Sequence, residues 1–207
     1  VTKGTMPARY GGRVSSVLDI GLKEGNARNT TLSGGLGLIS SRLTLEGPIK
    51  EDTISYIISG RRTYIDVLTR PFVNPESAFA GSGYYFYDLN AKVNWRASRR
   101  DQFYLSGYFG RDVFDFRSKS ADFGSRIPWG NSTLTARWNH LINDKAFITT
   151  TATYSDYEFA FEAQQDSFTF GFRSGIDDRG IKSRLTFYPN PRHTIRAGIE
   201  YTFHTFL

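Results

Sequence analysis

The sequence predicts an all-β protein, an antiparallel β-barrel that crosses a membrane, and three observations lead there. The first is alternation. Tyr85, Tyr87, Leu89, Ala91, Val93, Trp95 and Ala97 take one side of a ribbon whose other side is Phe86, Asp88, Asn90, Lys92, Asn94 and Arg96. A period of two marks a strand with one apolar and one wet face. The second is composition: aromatics are 15% of residues (17 Phe, 12 Tyr, 3 Trp) and glycines number 20, while the mean hydropathy is negative. No run approaches the roughly 18 apolar residues of a membrane helix, whereas alternation lets a barrel strand span with half that apolar content. The third is punctuation. Lys50-Glu51-Asp52, Ser98-Arg99-Arg100-Asp101, Asn143-Asp144-Lys145 and Asn190-Pro191-Arg192-His193 are short polar turns, spaced by about 47 residues. Between them lie a strand, a longer stretch rich in Gly, Ser, Asp and aromatics, and a return strand. Short turns at one end and long loops at the other are the asymmetry of outer-membrane barrels, with the turns in the periplasm and the loops outside.

This scheme places nine strands, at Thr30–Ile39, Ser41–Ile49, Thr53–Asp66, Tyr84–Ala97, Gln102–Phe116, Ser132–Leu141, Ala146–Tyr157, Phe168–Tyr188 and Thr194–Phe206. The eighth is open to a break near Asp177-Asp178. The second sets Leu43, Leu45 and Ile49 against Arg42, Thr44 and Glu46, and the sixth sets Leu134, Ala136 and Trp138 against Thr133, Thr135, Arg137 and Asn139. The last sets Ile195, Ala197, Ile199, Tyr201 and Phe203 against Arg196, Gly198, Glu200, Thr202 and His204. In the fifth, Tyr104 and Tyr108 fall on the wet side and Arg111 on the apolar one, which predicts a bulge. Tyr85, Tyr87, Trp95, Trp138 and Tyr201 form the expected lipid-facing aromatic girdle.

A soluble sandwich alternates in the same way. It cannot hide Lys92, Arg96, Arg137, Arg184 and Arg196 on one interior without partners, whereas a water-filled or plugged lumen hydrates them. Nine hairpin-linked strands leave the first and last pointing the same way, and an open edge in lipid exposes amides at several kcal/mol each. The expectation is therefore a piece of a larger barrel, residues 27–207 forming its N-terminal portion.

Residues 1–26 stand outside the strand scheme. The junction motif comprises Arg9, Tyr10, Gly11, Gly12, Arg13, Val17, Ile20 and Lys23, of which Tyr10, Gly11, Val17, Ile20 and Lys23 match a Tyr-Gly-x-x-x-x-x-Val-x-x-Ile-x-x-Lys pattern. That pattern resembles the last plug strand of TonB-dependent outer-membrane receptors, just ahead of the barrel. The stretches Leu38–Ile49, Ile58–Tyr64 and Phe86–Asn94 resemble the first barrel strands of Bacteroidetes-type members. The resemblance implies the C-terminal end of a plug domain in residues 1–26 and part of a barrel of about 22 strands. It further implies a bacterial outer-membrane location and a TonB-type energising complex as partner. Other implied partners are outer-membrane lipid, the remaining barrel and plug, and a surface lipoprotein for substrate capture. The implied activity is uptake of a scarce or bulky solute such as a siderophore, cofactor, glycan or peptide. An Ala-Ala-Asn-Gly stretch usual in glycan importers is replaced here by Gly12-Arg13-Val14-Ser15-Ser16, so a glycan is not implied. A passive porin-like or adhesive barrel is the alternative, and a soluble secreted β-domain a more distant one.

No enzyme is expected. His140, His193 and His204 are scattered without ligand spacing, and no Gly-x-Ser-x-Gly elbow occurs, so neither catalytic nor metal residues nor a cofactor are assigned. The net charge of +6 is dispersed, which argues against nucleic acid. The absence of cysteine suits a chain that crosses an oxidising periplasm unfolded. Substrate contacts are expected on the long outer loops, in the region of Tyr64, Arg70, Phe79, Tyr84, Phe86, Asp115, Arg117, Lys119, Arg126, Trp129, Tyr157, Phe159, Phe161 and Gln164. There aromatic and charged side chains can stack on and charge-match a ligand.

Overall fold

The computed structural model describes residues 2–3, 16–17, 20–69, 71–72, 80–118 and 122–207. Two short strands, β1 (Thr2–Lys3) and β2 (Ser16–Val17), pair antiparallel. All the other strands belong to one antiparallel sheet. It contains β3 (Thr31–Leu36), β4 (Ser40–Lys50), β5 (Ile54–Thr63), β6 (Gly83–Arg96), β7 (Asp101–Ser118), β8 (Phe123–Asn143), β9 (Ala146–Gln165), β10 (Phe168–Asn190) and β11 (His193–Phe206). Each strand is hydrogen-bonded to its sequence neighbours, in the order β3 to β11. The helix α1 (Ile65–Thr69) follows β5. Among the described residues neither β3 nor β11 has a second strand neighbour.

The nine expected strands are those of the sheet, with corrections. The stretches expected as loops near 117–131 and 158–167 are mostly strand: β8 begins at Phe123, and β9 runs to Gln165. Their connections are tight, with Asp122 and Asp166 in the left-handed region at φ 45° and 52°. Gly124, Pro128 and Gly130 fall inside β8. Pro128 pairs with Val113 on β7, and the β8–β9 ladder skips Ile127 and Pro128, so the missing N–H costs no bond there. The strand β10 is unbroken at Asp177-Asp178. The predicted bulge in β7 is also wrong, because its register with β6 and β8 has no shift. The three register shifts lie instead where β4, β8 and β10 enter polar turns, between Pro48 and Lys50, Leu141 and Asn143, and Phe187 and Asn190. The third expected strand stops at Thr63, ahead of α1, and not at Asp66. The first is Thr31–Leu36, shorter than expected.

The register carries a systematic stagger. One straight row crosses the sheet through Ile54, Trp95, Phe103, Trp138, Thr150, Ser183 and Ile199. Measured from it, the last pairs before the polar turns, Lys50–Ile54, Arg96–Gln102, Asn143–Ala146 and Asn190–His193, step steadily further away. The drift is about 20 Å along the strands over about 29 Å across the sheet. Turns lying in one plane then require strands tilted by about 35°, the tilt of closed barrels.

Paired residues share a face, so the register sorts every side chain onto the Leu89 face or the Lys92 face. Close to the turns the Leu89 face is apolar and open. Leu89 is 49%, Trp95 45%, Leu105 50% and Ile199 74% exposed. Among the described residues the buried apolar side chains are only Val113, Ala146 and Ala160. The buried polar ones, Ser55, Thr63, Asn94 and Thr186, all lie on the Lys92 face. A soluble sheet buries its leucines and wets its asparagines; here the preference is reversed.

Residues 20–26 run without regular structure across the Lys92 face near the turns. Lys92 Nζ donates to the Leu22 carbonyl at 2.9 Å, Asn94 Nδ2 to Glu24 Oε2 at 3.0 Å, and Lys23 Nζ to Glu46 Oε1 at 2.8 Å. Gly25 makes this crossing possible. A Cβ there would lie 1.9 Å from the Tyr56 carbonyl oxygen, so only glycine allows the two backbones to meet.

Candidate functional site: an aromatic plate on the wet face

The polarity of the sheet inverts along its length. Apart from Asp101 at its turn, the Leu89 face of the strands stays free of charge for about eight to ten residues from the turn, close to the span of a tilted membrane strand. Past that point it carries Arg62, Arg111, Asp156, Glu158, Arg173 and Arg179, with Arg173 Nε 3.1 Å from Glu158. Over the same length the Lys92 face turns aromatic. One cross-strand row reads Phe86, Asp112, Trp129, Phe159, Ser174, and the rows beyond bring in Tyr84, Phe114, Phe161 and Phe172, then Phe116 and Phe170. Because the register is unbroken, the change of side belongs to the sequence and not to a slip of the ladder.

The plate is anchored where aromatics meet polar groups. Tyr84 stacks on Trp129 with centroids 6.3 Å apart and packs on Phe86 at 6.2 Å. The Tyr84 hydroxyl donates to Asp112 Oδ1 at 2.6 Å. Partial burial, then that hydrogen bond and the charge of Asp112, push the Tyr84 phenol up to about 12. Beside it, Arg61 donates to Asp88 at 2.7 Å while its guanidinium lies 4.8 Å over the Phe86 ring. Gly110 lies in the adjoining row, between Asp88 and Asn131. A Cβ at Gly110 would fall 2.1 Å from the Tyr108 hydroxyl, so the missing side chain is the room that hydroxyl occupies.

Of the residues expected to contact substrate, the structure brings Tyr84, Phe86, Trp129, Tyr157, Phe159 and Phe161 together on the Lys92 face, on strands and not on loops. Asp115, Arg117, Arg126 and Gln164 sit on the opposite face, where Arg126 Nε lies 3.6 Å from Asp115. Tyr64 stands apart at the end of β5, its hydroxyl donating to the Gly37 carbonyl. Arg70, Phe79 and Lys119 lie outside the described residues. Sequence reasoning missed Asp112, Phe114, Phe116, Phe170 and Phe172. A shift in the phase of alternation after Phe109 and Tyr154 is the signal that finds them.

The girdle residues all fall on the Leu89 face. Trp95, Phe103 and Trp138 make a continuous aromatic row near the turns, at 5.3 Å and 6.2 Å, and Tyr85 and Tyr87 lie toward the far end of the apolar stretch. Trp138 Nε1 donates to Asp101 Oδ1 at 3.0 Å, which with His140 and Ser98 ties the row to its turn. Of the junction motif, Val17 lies in β2, while Ile20 is exposed and Lys23 reaches Glu46. Arg9, Tyr10, Gly11, Gly12 and Arg13 lie outside the described residues. Comparison with family models, with curated proteins and with solved structures finds no match.

Proposed function

We propose that this chain is a wall of an outer-membrane β-barrel through which a bulky solute is imported, with residues 20–26 the tail of a plug lying on the lumen side. The observation that carries the membrane half is the exposed, charge-free stretch of the Leu89 face, about eight to ten residues high above turns staggered at about 35°. Hydrocarbon is the environment in which such a face needs no cover. The edges of β3 and β11, without a further strand neighbour among the described residues, fit further strands of a larger barrel. The import half is supported by the junction motif and by residues 20–26, which bind Glu46, Lys92 and Asn94 on the wet face, where a plug would enter.

The three tryptophans supply the test. In vesicles of phosphatidylcholine brominated in mid-chain, Trp95 and Trp138 should be quenched and Trp129 spared, as read from the corresponding single-tryptophan variants. Trp129 stands roughly 35–40 Å above the turns, past a hydrophobic band of about 25 Å. Equal quenching of all three, or of none, refutes the membrane reading. Energised import is tested separately, by uptake in cells with and without the inner-membrane energising complex.

A further inference from the structure

We infer that Tyr84, Trp129 and Asp112 form a subsite for a cationic group, a guanidinium or ammonium carried by the ligand. The inference rests on the membrane reading in one respect, that the plate then faces water above the barrel mouth.

Three observations point to a cation. The Asp112 carboxylate is half-buried beside stacked rings, accepts one hydrogen bond from Tyr84, and has no cationic partner among the described residues. A negative charge so placed gains from a cation held over the ring faces, where Coulomb attraction and the ring quadrupole act together. Charge is also sorted by side: Arg111, Arg117, Arg126 and Arg173 all project from the opposite face, so no basic side chain of those strands competes for the site. Finally, the same face already holds such a group. Arg61 sits over Phe86 while bonded to Asp88, the same pairing of a ring and a carboxylate one pleat away. Tyr84 and Trp129 with Asp112 repeat that chemistry with no cation bound to the carboxylate among the described residues. A polyol would use the rings and leave the unpaired carboxylate charge without a counterpart.

The experiment compares N-acetyl-arginine amide with N-acetyl-citrulline amide, which differ in charge and hardly in shape. Binding to the full chain in lipid nanodiscs is read at constant ionic strength by Trp129 fluorescence, with Trp95→Phe and Trp138→Phe removing the other emitters. Saturation-transfer NMR on the unaltered protein gives a readout that needs no tryptophan replacement. The arginine probe should bind at least about tenfold more tightly than the citrulline probe, and Asp112→Asn should remove that difference. Glu158→Gln, which deletes an equal charge on the opposite face, should leave it intact. Equal binding of the two probes, no effect of Asp112→Asn, or an equal effect of Glu158→Gln would overturn the inference. Brominated-lipid quenching of Trp95 and Trp138 reports on the membrane reading independently, so the two failures are told apart.

Discussion

Ala152 and Thr153 are adjacent on β9, both exposed, and point to opposite faces. Ala152 stands in a row with Ala136 and Ile181 on the Leu89 face; Thr153 pairs with Thr135 and Gly180 on the Lys92 face. Ala152 is about six residues above its turn, or roughly 17 Å along the axis of strands tilted by about 35°, which in the proposed membrane setting is close to the middle of the bilayer. Its small side chain leaves no cavity when replaced. If the Leu89 face meets hydrocarbon, as proposed, Ala152→Arg measures the transfer of a charge into it, about 2–4 kcal/mol at the midplane of a barrel's lipid face. That corresponds to a fall of roughly 30- to 900-fold in the folding constant. Thr153→Arg places the same group on the wet side and should cost under about 0.5 kcal/mol, like other exposed substitutions. The assay is reversible urea or guanidinium unfolding from phosphocholine vesicles, followed by tryptophan emission. Equal costs, or a larger cost for Thr153→Arg, would refute the assignment of hydrocarbon to the Leu89 face.

Further outcomes follow from single contacts. Gly25→Ala forces a methyl into the Tyr56 carbonyl; it should cost about 1–3 kcal/mol and free the Asn26 amide, now bonded to Glu46, to exchange its hydrogen. Asp101 lies at its turn, outside the proposed spanning stretch, and hydrogen bonds from His140, Ser98 and Trp138 hold its carboxyl below the usual carboxylate range. A carboxyl so lowered contributes stability above its unfolded pKa and loses it as pH falls through the folded one. The unaltered protein should therefore lose more stability than Asp101→Asn on acidification below about pH 4, and parallel acid-unfolding curves would show Asp101 to be uninvolved.

Much of the fold was legible because the contrast between faces is strong wherever one face is apolar for a full spanning length. The ribbon from Tyr85 to Trp95 and the last strand, from Ile195 to Phe203, read cleanly, and the four polar turns set the phase of everything else. The far ends of β8 and β9 did not. On β9 the apolar positions are Ile148, Ala152 and Tyr154, and then Tyr157, Phe159 and Phe161, one step out of phase. Averaged across that change the two patterns cancel, and a continuous strand reads as an aromatic loop. Arg111 has the same cause: it is the first charge past the apolar stretch of β7, and the inversion mimics a bulge in a strand whose register is unbroken. The aromatic candidates were found by residue type, but their grouping with Asp112 depended on register, which no single-strand pattern contains.

The inversion itself constrains what the sheet can be. A one-residue slip would exchange the faces of a whole strand, and it would appear as a register shift beside the change; the shifts that occur lie at the opposite end, against the polar turns. A two-layer soluble protein offers one dry side along the length of its strands, so its alternation keeps one phase. Two dry stretches on opposite faces of one continuous ladder need two different surroundings stacked along the strand axis. A barrel wall that leaves the bilayer meets both: hydrocarbon outside below, and above it water outside with a partly dry mouth within. On that account the charges at Glu158, Arg173 and Arg126 and the rings at Phe159, Phe172 and Trp129 have one cause, the height at which each strand emerges from lipid.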